Sequence, residues 1–229
     1  MIILFSGAGA TRLSMPFSNA CFISYRHTDI PRNRAIIQQT VDALKAELDG
    51  RVPLPVFRDV ERLKGGTFYN EALATSLCSS VCMVMLYWPT YFSSEHTFCS
   101  REYKAMVRLE EQRLKLLTDP LLRQDGLIVT IAFRDFDQIP DEIKKNRLVK
   151  NFEAHSLRPN MARNREFIND IYEIGTYITE RCRTLSRVPP PDPCIDCPQC
   201  QLPPEGEIQP WLQQVLHPGV PYPTREAGR

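Results

Sequence analysis

The segment S-S-E-H-T-F-C-S-R-E-Y (93–103) brings an aromatic, a thiol and a carboxylate close together: Phe98, Cys99 and Glu102. It follows directly on the apolar run V-C-M-V-M-L-Y-W-P (81–89). On a helix, Phe98 and Glu102 are four residues apart and share a face. A glutamate in that place is either an ordinary solvated helix residue or an acid at the mouth of a cleft. Two other clusters carry reactive residue types. C-I-D-C-P-Q-C (194–200) holds two successive C-x-x-C spacings. Cys194, Cys197 and Cys200 could bind zinc there with Cys182 or His217 as fourth ligand. Neither fourth ligand has an orthodox spacing, so free thiols in a flexible tail compete with zinc. I-L-F-S-G-A-G-A-T-R-L-S-M-P (3–16) reads as a strand and a Gly-rich turn. A lone G-x-G is a weak nucleotide signal, and no convincing helix follows it.

The elements that would hold Glu102 in place can be read from hydrophobic spacing. C-F-I-S-Y (21–25), L-P-V-F (54–57), V-C-M-V-M-L-Y-W (81–88) and L-I-V-T-I-A-F (127–133) are short apolar runs of the kind found in strands buried on both faces. An edge strand is expected around N-F-E-A-H-S-L (151–157). Helical spacing covers 34–50 through Ile36, Ile37, Val41, Leu44 and Leu48, with Gly50 as the stop. Helices are also expected over 68–80, 97–117 and 164–182. Strands alternating with helices, each strand apolar throughout, give an α/β fold. Its expected core is a flavodoxin-like, doubly wound parallel sheet of about five strands flanked by helices. Ligands in such folds bind beyond the carboxyl ends of the strands. The loop after the first strand (S-Y-R-H), the loop after the second (R-D-V-E-R-L-K-G-G) and the segment after the third (Y-W-P-T-Y-F) all emerge at that rim.

The composition excludes several classes. Of 229 residues, 43% are hydrophobic and 24% charged, with a net charge of +1. No broad electrostatic case for a nucleic-acid or membrane surface exists at such a balance. No apolar run approaches the roughly 20 residues of a membrane helix. M-I-I-L-F is too short for a signal-peptide core, so a cytoplasmic protein is expected. In that setting none of the eight cysteines argues for a disulfide. Eleven of the nineteen prolines lie between Pro189 and Pro223, which predicts an extended or disordered tail. The expected organisation is a flexible leader over 1–18, a folded domain over 19–185 and a Pro/Cys-rich tail over 186–229.

F-I-S-Y-R-H, then F-R-D-V-E-R-L-K-G-G-T-F-Y-N-E-A-L-A-T-S-L, then V-C-M-V-M-L-Y-W-P-T-Y-F-S-S-E-H-T-F-C-S-R-E-Y resemble three successive segments of a TIR (Toll/interleukin-1 receptor) domain. The resemblance covers about residues 19 to 183, in the right order. It implies cleavage of NAD at the nicotinamide–ribose bond, as in bacterial, plant and some animal members, with NAD as substrate and no further cofactor. It places the family's catalytic glutamate at Glu102. Departure of nicotinamide develops oxocarbenium charge on the ribose, which a nearby carboxylate stabilises. The leaving group is already cationic, so no strong general acid is needed. The family's tryptophan is Phe98 here, which stacks over less area and lacks the indole donor.

Around Glu102 the resemblance implies a substrate site of Ser24, Tyr25, Arg26, Asp59, Tyr91, Phe98 and Cys99. Bland readings stand beside these. Arg26 is an exposed cation or a phosphate or ribose contact. Asp59 caps its loop or touches ligand. Tyr25 and Tyr91 are core or rim aromatics, or walls of the nicotinamide pocket. His27 and His96 read as surface residues, and Gly65 and Gly66 as turn formers before a helix. Self-association through TIR–TIR contacts, an activating partner and a place in bacterial anti-phage immunity are further implications. The competing expectation is a TIR adaptor that associates with its own kind and does no chemistry.

Overall fold

Five strands form the sheet: β1 (Asn19–Tyr25), β2 (Val56–Arg58), β3 (Ser80–Tyr87), β4 (Ile128–Ala132) and β5 (Leu148–Asn151). The structure, a computed structural model, describes residues 17–58, 66–187 and 201–216. All neighbouring pairs are parallel, in the order β2-β1-β3-β4-β5. That is the flavodoxin-like, doubly wound order expected from the apolar runs. Every residue of β3 is buried, as a central strand covered on both faces requires.

The long helices are α1 (Pro31–Asp49), α2 (Gly66–Cys78) and α3 (Phe98–Leu116). Two one-turn helices follow, α4 (Asp141–Lys144) and α5 (Glu153–Ser156), and then α6 (Arg165–Leu185). α1 packs with α6 and α2 with α3, which gives the two helical layers over the sheet. Pro31 starts α1 at a position where its missing N–H costs nothing, and the Asn164 side chain accepts from Glu166 N at 2.9 Å to cap α6.

Three expectations need correction. β2 begins at Val56 rather than Leu54, because Pro53 and Pro55 lack the N–H that a ladder needs. The edge strand is L-V-K-N (148–151), and the segment expected to be strand turns helical at α5 instead. Its half-exposed residues hid the alternation, and the register Val129↔Leu148 with β4 decides the pairing. Cys78 is disulfide-bonded, whereas Cys21, Cys82, Cys99 and Cys182 are free and buried. The expectation of no disulfide rested on the assumed reducing compartment and not on any residue spacing.

The tail also departs from expectation where it is described. Residues Glu205–Leu216 form a helix, α7, with Pro210 inside it. Ile208 and Leu212, four residues apart, are buried against α3, and Trp211 stacks on Tyr103 at 5.6 Å. The Trp211 indole donates to both oxygens of Glu142 at 3.1 Å. Burial against the domain supplies what this short helix could not provide alone. At the other end of the chain, Phe17 is buried and Ser18 N bonds Ser79 O at 2.9 Å. The last two residues of the expected leader therefore belong to the domain.

Candidate functional site

The order β2-β1-β3 reverses direction between β1 and β3, and the crevice beyond their carboxyl ends is the position such folds use for ligands. Register pairs Ser24 with Met85 and Tyr25 with Leu86 there. The chain leaving β1 carries Arg26, His27 and Asp29; the chain leaving β3 runs through Tyr91 into α3, which carries Phe98, Cys99 and Glu102. Topology thus brings residues separated by nearly eighty positions to one rim.

A cavity of about 410 Å³ opens at this point. Glu102 and Cys99 reach it from α3, Tyr25 and Arg26 line it from the end of β1, and the exposed Phe98 ring stands at its mouth. Glu102 is 7% exposed. Ser24 Oγ donates to Glu102 Oε2 at 2.5 Å, and the Tyr91 hydroxyl lies 2.5 Å from the same Ser24 oxygen. Ser24 has one proton, and it is directed at the carboxylate, so Tyr91 is the donor in the second bond. The result is a buried chain, Tyr91 O–H to Ser24 O–H to Glu102, which fixes one carboxylate oxygen. Arg26 sends Nη1 to Thr90 O at 2.7 Å, tying the β1 loop to the β3 loop.

Electrostatics agree with this direction of donation. Burial raises the Tyr91 phenol well above its usual value, with Cys99 and Glu102 adding to the rise, so it stays a donor. Burial also raises the Cys99 thiol well above its ordinary value; Glu102 adds to this, and Arg26 opposes it. Cys99 is therefore a neutral thiol near neutral pH, not a nucleophile.

Of the site residues expected from sequence, Glu102, Tyr25, Arg26, Phe98 and Cys99 line one cavity. Ser24 and Tyr91 do not; they lie beneath it, and Tyr91 is fully buried. Tyr91 is a support rather than a wall, because the turn after β3 folds it back under Ser24. Asp59, Gly65, Cys194, Cys197, Cys200 and His217 lie outside the described residues. Cys182 is 2% exposed in the core, and its thiol points at Ala20 O. Among the described residues no group of metal-ligating side chains gathers. His27, Asp29 and His96 line the cavity although sequence reasoning gave them no part. The signal for His27 and Asp29 was their place directly after β1.

The fold and site define a flavodoxin-like α/β protein with a buried carboxylate in its switch-point crevice. Compared with known proteins, the chain matches no family model, no curated protein and no solved structure.

Proposed function

We propose that this protein is a TIR-type NAD glycohydrolase, releasing nicotinamide and leaving ADP-ribose or a cyclic isomer. The observation that carries the reading is Glu102. The residue is nine-tenths buried, its carboxylate accepts from Ser24, and it lines a cavity at the topological switch point. Preorganised charge of this kind acts on a developing cation without reorganisation cost. In the reaction the C1′–N bond breaks and nicotinamide leaves with the electron pair as a neutral base. Water, or a nucleophile of the same dinucleotide, then bonds to C1′ and loses its proton. Glu102 stabilises the positive ribose between those events and can accept from its hydroxyls. Phe98 and Tyr25 offer ring faces for nicotinamide, and Arg26 offers a cation beside the ribose or phosphate.

The resemblance adds self-association, an activating partner, a cytoplasmic setting and a role in bacterial anti-phage defence to this proposal. A second reading is a TIR module that associates without chemistry. It is favoured by Phe98, whose ring is 46% exposed at the mouth of the cavity, where a second protein surface could cover it. The test is nicotinamide release from NAD by purified protein at high concentration with a crowding agent, beside Glu102→Ala. Release by the wild type alone supports the hydrolase. Equal release by both proteins overturns the site, and no release by either, with self-association seen by analytical ultracentrifugation, supports the association module.

A further inference from the structure

Three cavities surround the loop that leaves β1, and His27 lines all of them. Glu102 opens into the first. The second, of about 530 Å³, lies between the ends of β1 and β2 and the first turns of α1, and it shares Tyr25 and His27 with the first. Its wall holds two arginines, Arg34 and Arg58, and no carboxylate among the described residues. The third, of about 430 Å³, sets Asp29 beside Arg26, so its charges oppose one another.

The two arginines of the second cavity are prepared for an anion in different ways. Arg58 lies over the Tyr25 ring at 5.2 Å, donates Nε to the Tyr25 hydroxyl at 3.3 Å, and donates Nη1 to Gln38 Oε1 at 2.5 Å. Gln38 is itself held by Asp42 at 2.7 Å, the acid closest to this group in the hydrogen-bond chain. A solvated surface arginine needs no such three-point support. Arg58 is thereby fixed, while among the described residues neither it nor Arg34 has a carboxylate within ion-pair distance. Two guanidinium groups without counter-charge among the described residues, one of them preorganised, match the paired oxygens of an anionic group such as phosphate or carboxylate, and of these a dinucleotide carries phosphate. Because Tyr25 forms a wall of both cavities, a ligand that fills the Glu102 cavity and continues past Tyr25 reaches these arginines.

We propose that the Arg34–Arg58 cavity binds a diphosphate, the linking group of a dinucleotide whose nicotinamide riboside end occupies the Glu102 cavity. The inference rests on the NAD reading for the identity of the ligand, but its charge chemistry can be tested without turnover. Titration calorimetry would be run with ADP-ribose, ADP, inorganic pyrophosphate and, as the phosphate-free control, adenosine, against the wild type, Arg34→Gln and Arg58→Gln. The wild type binds ADP-ribose and ADP at least tenfold more tightly than adenosine, and each variant weakens both by about tenfold, the loss of one charge-assisted contact. Arg58→Lys restores only part of the loss, because the planar fork is gone. Binding of pyrophosphate as tight as ADP marks a site for the diphosphate alone; weaker binding means that the nucleoside contributes. Adenosine binding as tight as ADP, or unchanged ADP-ribose affinity in both variants, overturns the subsite. Should Arg58→Gln unfold, as read by circular dichroism, Arg34→Gln carries the test alone, since Arg34 is exposed and makes no side-chain hydrogen bond among the described residues. A wild type that releases nicotinamide while ADP-ribose affinity ignores both arginines sinks the subsite only. A wild type that binds ADP-ribose through them but releases no nicotinamide sinks the NAD reading only.

Discussion

Replacing Ser24 with alanine removes the middle member of the Tyr91–Ser24–Glu102 chain and tests the direction of its hydrogen bonds. Two losses are expected. Glu102 loses a donor to a charged group, worth about 1.5–3 kcal/mol, and the fully buried Tyr91 hydroxyl is left without its acceptor, at about 1–3 kcal/mol. Partial relaxation makes these less than additive, so Ser24→Ala is expected to cost about 2–4 kcal/mol. Tyr91→Phe in the wild type removes one neutral donor and costs about 1 kcal/mol. In the Ser24→Ala background the same change removes an orphaned hydroxyl and returns about 1 kcal/mol or more. The sign of the Tyr91→Phe effect therefore reverses between the two backgrounds. The assay is a double-mutant cycle from urea denaturation at neutral pH, with the slope m checked for constancy. If Tyr91→Phe costs stability in both backgrounds, Tyr91 reaches Glu102 by another route and the chain drawn here is wrong. On the proposed hydrolase reading, nicotinamide release also falls in Ser24→Ala, because Glu102 loses this donor.

Three further outcomes follow from the packing and charges. Leu212→Ala, at a fully buried position of α7, should cost about 2–5 kcal/mol wherever α7 unfolds with the domain, and a smaller cost with early quenching of Trp211 fluorescence would show that α7 undocks first. Gly126→Ala is expected to destabilise, since a Cβ there would lie 2.9 Å from the Asn146 carbonyl and closer still to Glu110, which is paired with Arg147 at 2.5 Å; a melting temperature equal to the wild type would contradict that crowding. Burial raises the Cys182 thiol from 9.0 to about 12 and the Cys21 thiol higher still. Both stay protonated in the folded state while the unfolded chain ionises, so their stability contribution is whole below pH 9 and declines as pH rises toward 12. The expected reading is a urea midpoint that is flat from pH 7 to about 8.5 and then falls, by up to about 1.4 kcal/mol per pH unit for each thiol. Cys182→Ser should reduce the slope, and a midpoint that rises above pH 9 would reverse the sign and refute it.

The fold could be read from the chain because its information is local. β3 is eight consecutive buried residues, and the shortness of its apolar run, with Pro89 just beyond, decides for strand over buried helix. α6, with Phe167, Ile171, Ile174 and Ile178 on one face, declares itself by spacing in the same way. What failed is what depends on partners. α7 has a modest apolar face and an internal proline, and nothing within 205–216 tells that Tyr103, Phe92 and Glu142 wait to receive Trp211. The Glu110–Arg147 pair, joined by Leu127 N at 2.5 Å, was invisible for the same reason: thirty-seven positions separate two residues that burial forces together.

The site divides along the same line. The rim that these residues share followed from strand order, and Glu102, Arg26, Tyr25 and Phe98 do line one cavity. Depth did not follow. A tyrosine four residues past the end of β3 looks the same in sequence whether it faces ligand or core, and only the turn that carries Tyr91 N to Trp88 O at 2.7 Å decides that it points inward. That choice matters for function. An outward Tyr91 would be one more ring for substrate, replaceable by any aromatic. An inward Tyr91 donates to Ser24, which donates to Glu102, so on the proposed reading its hydroxyl, and not its ring alone, serves the site.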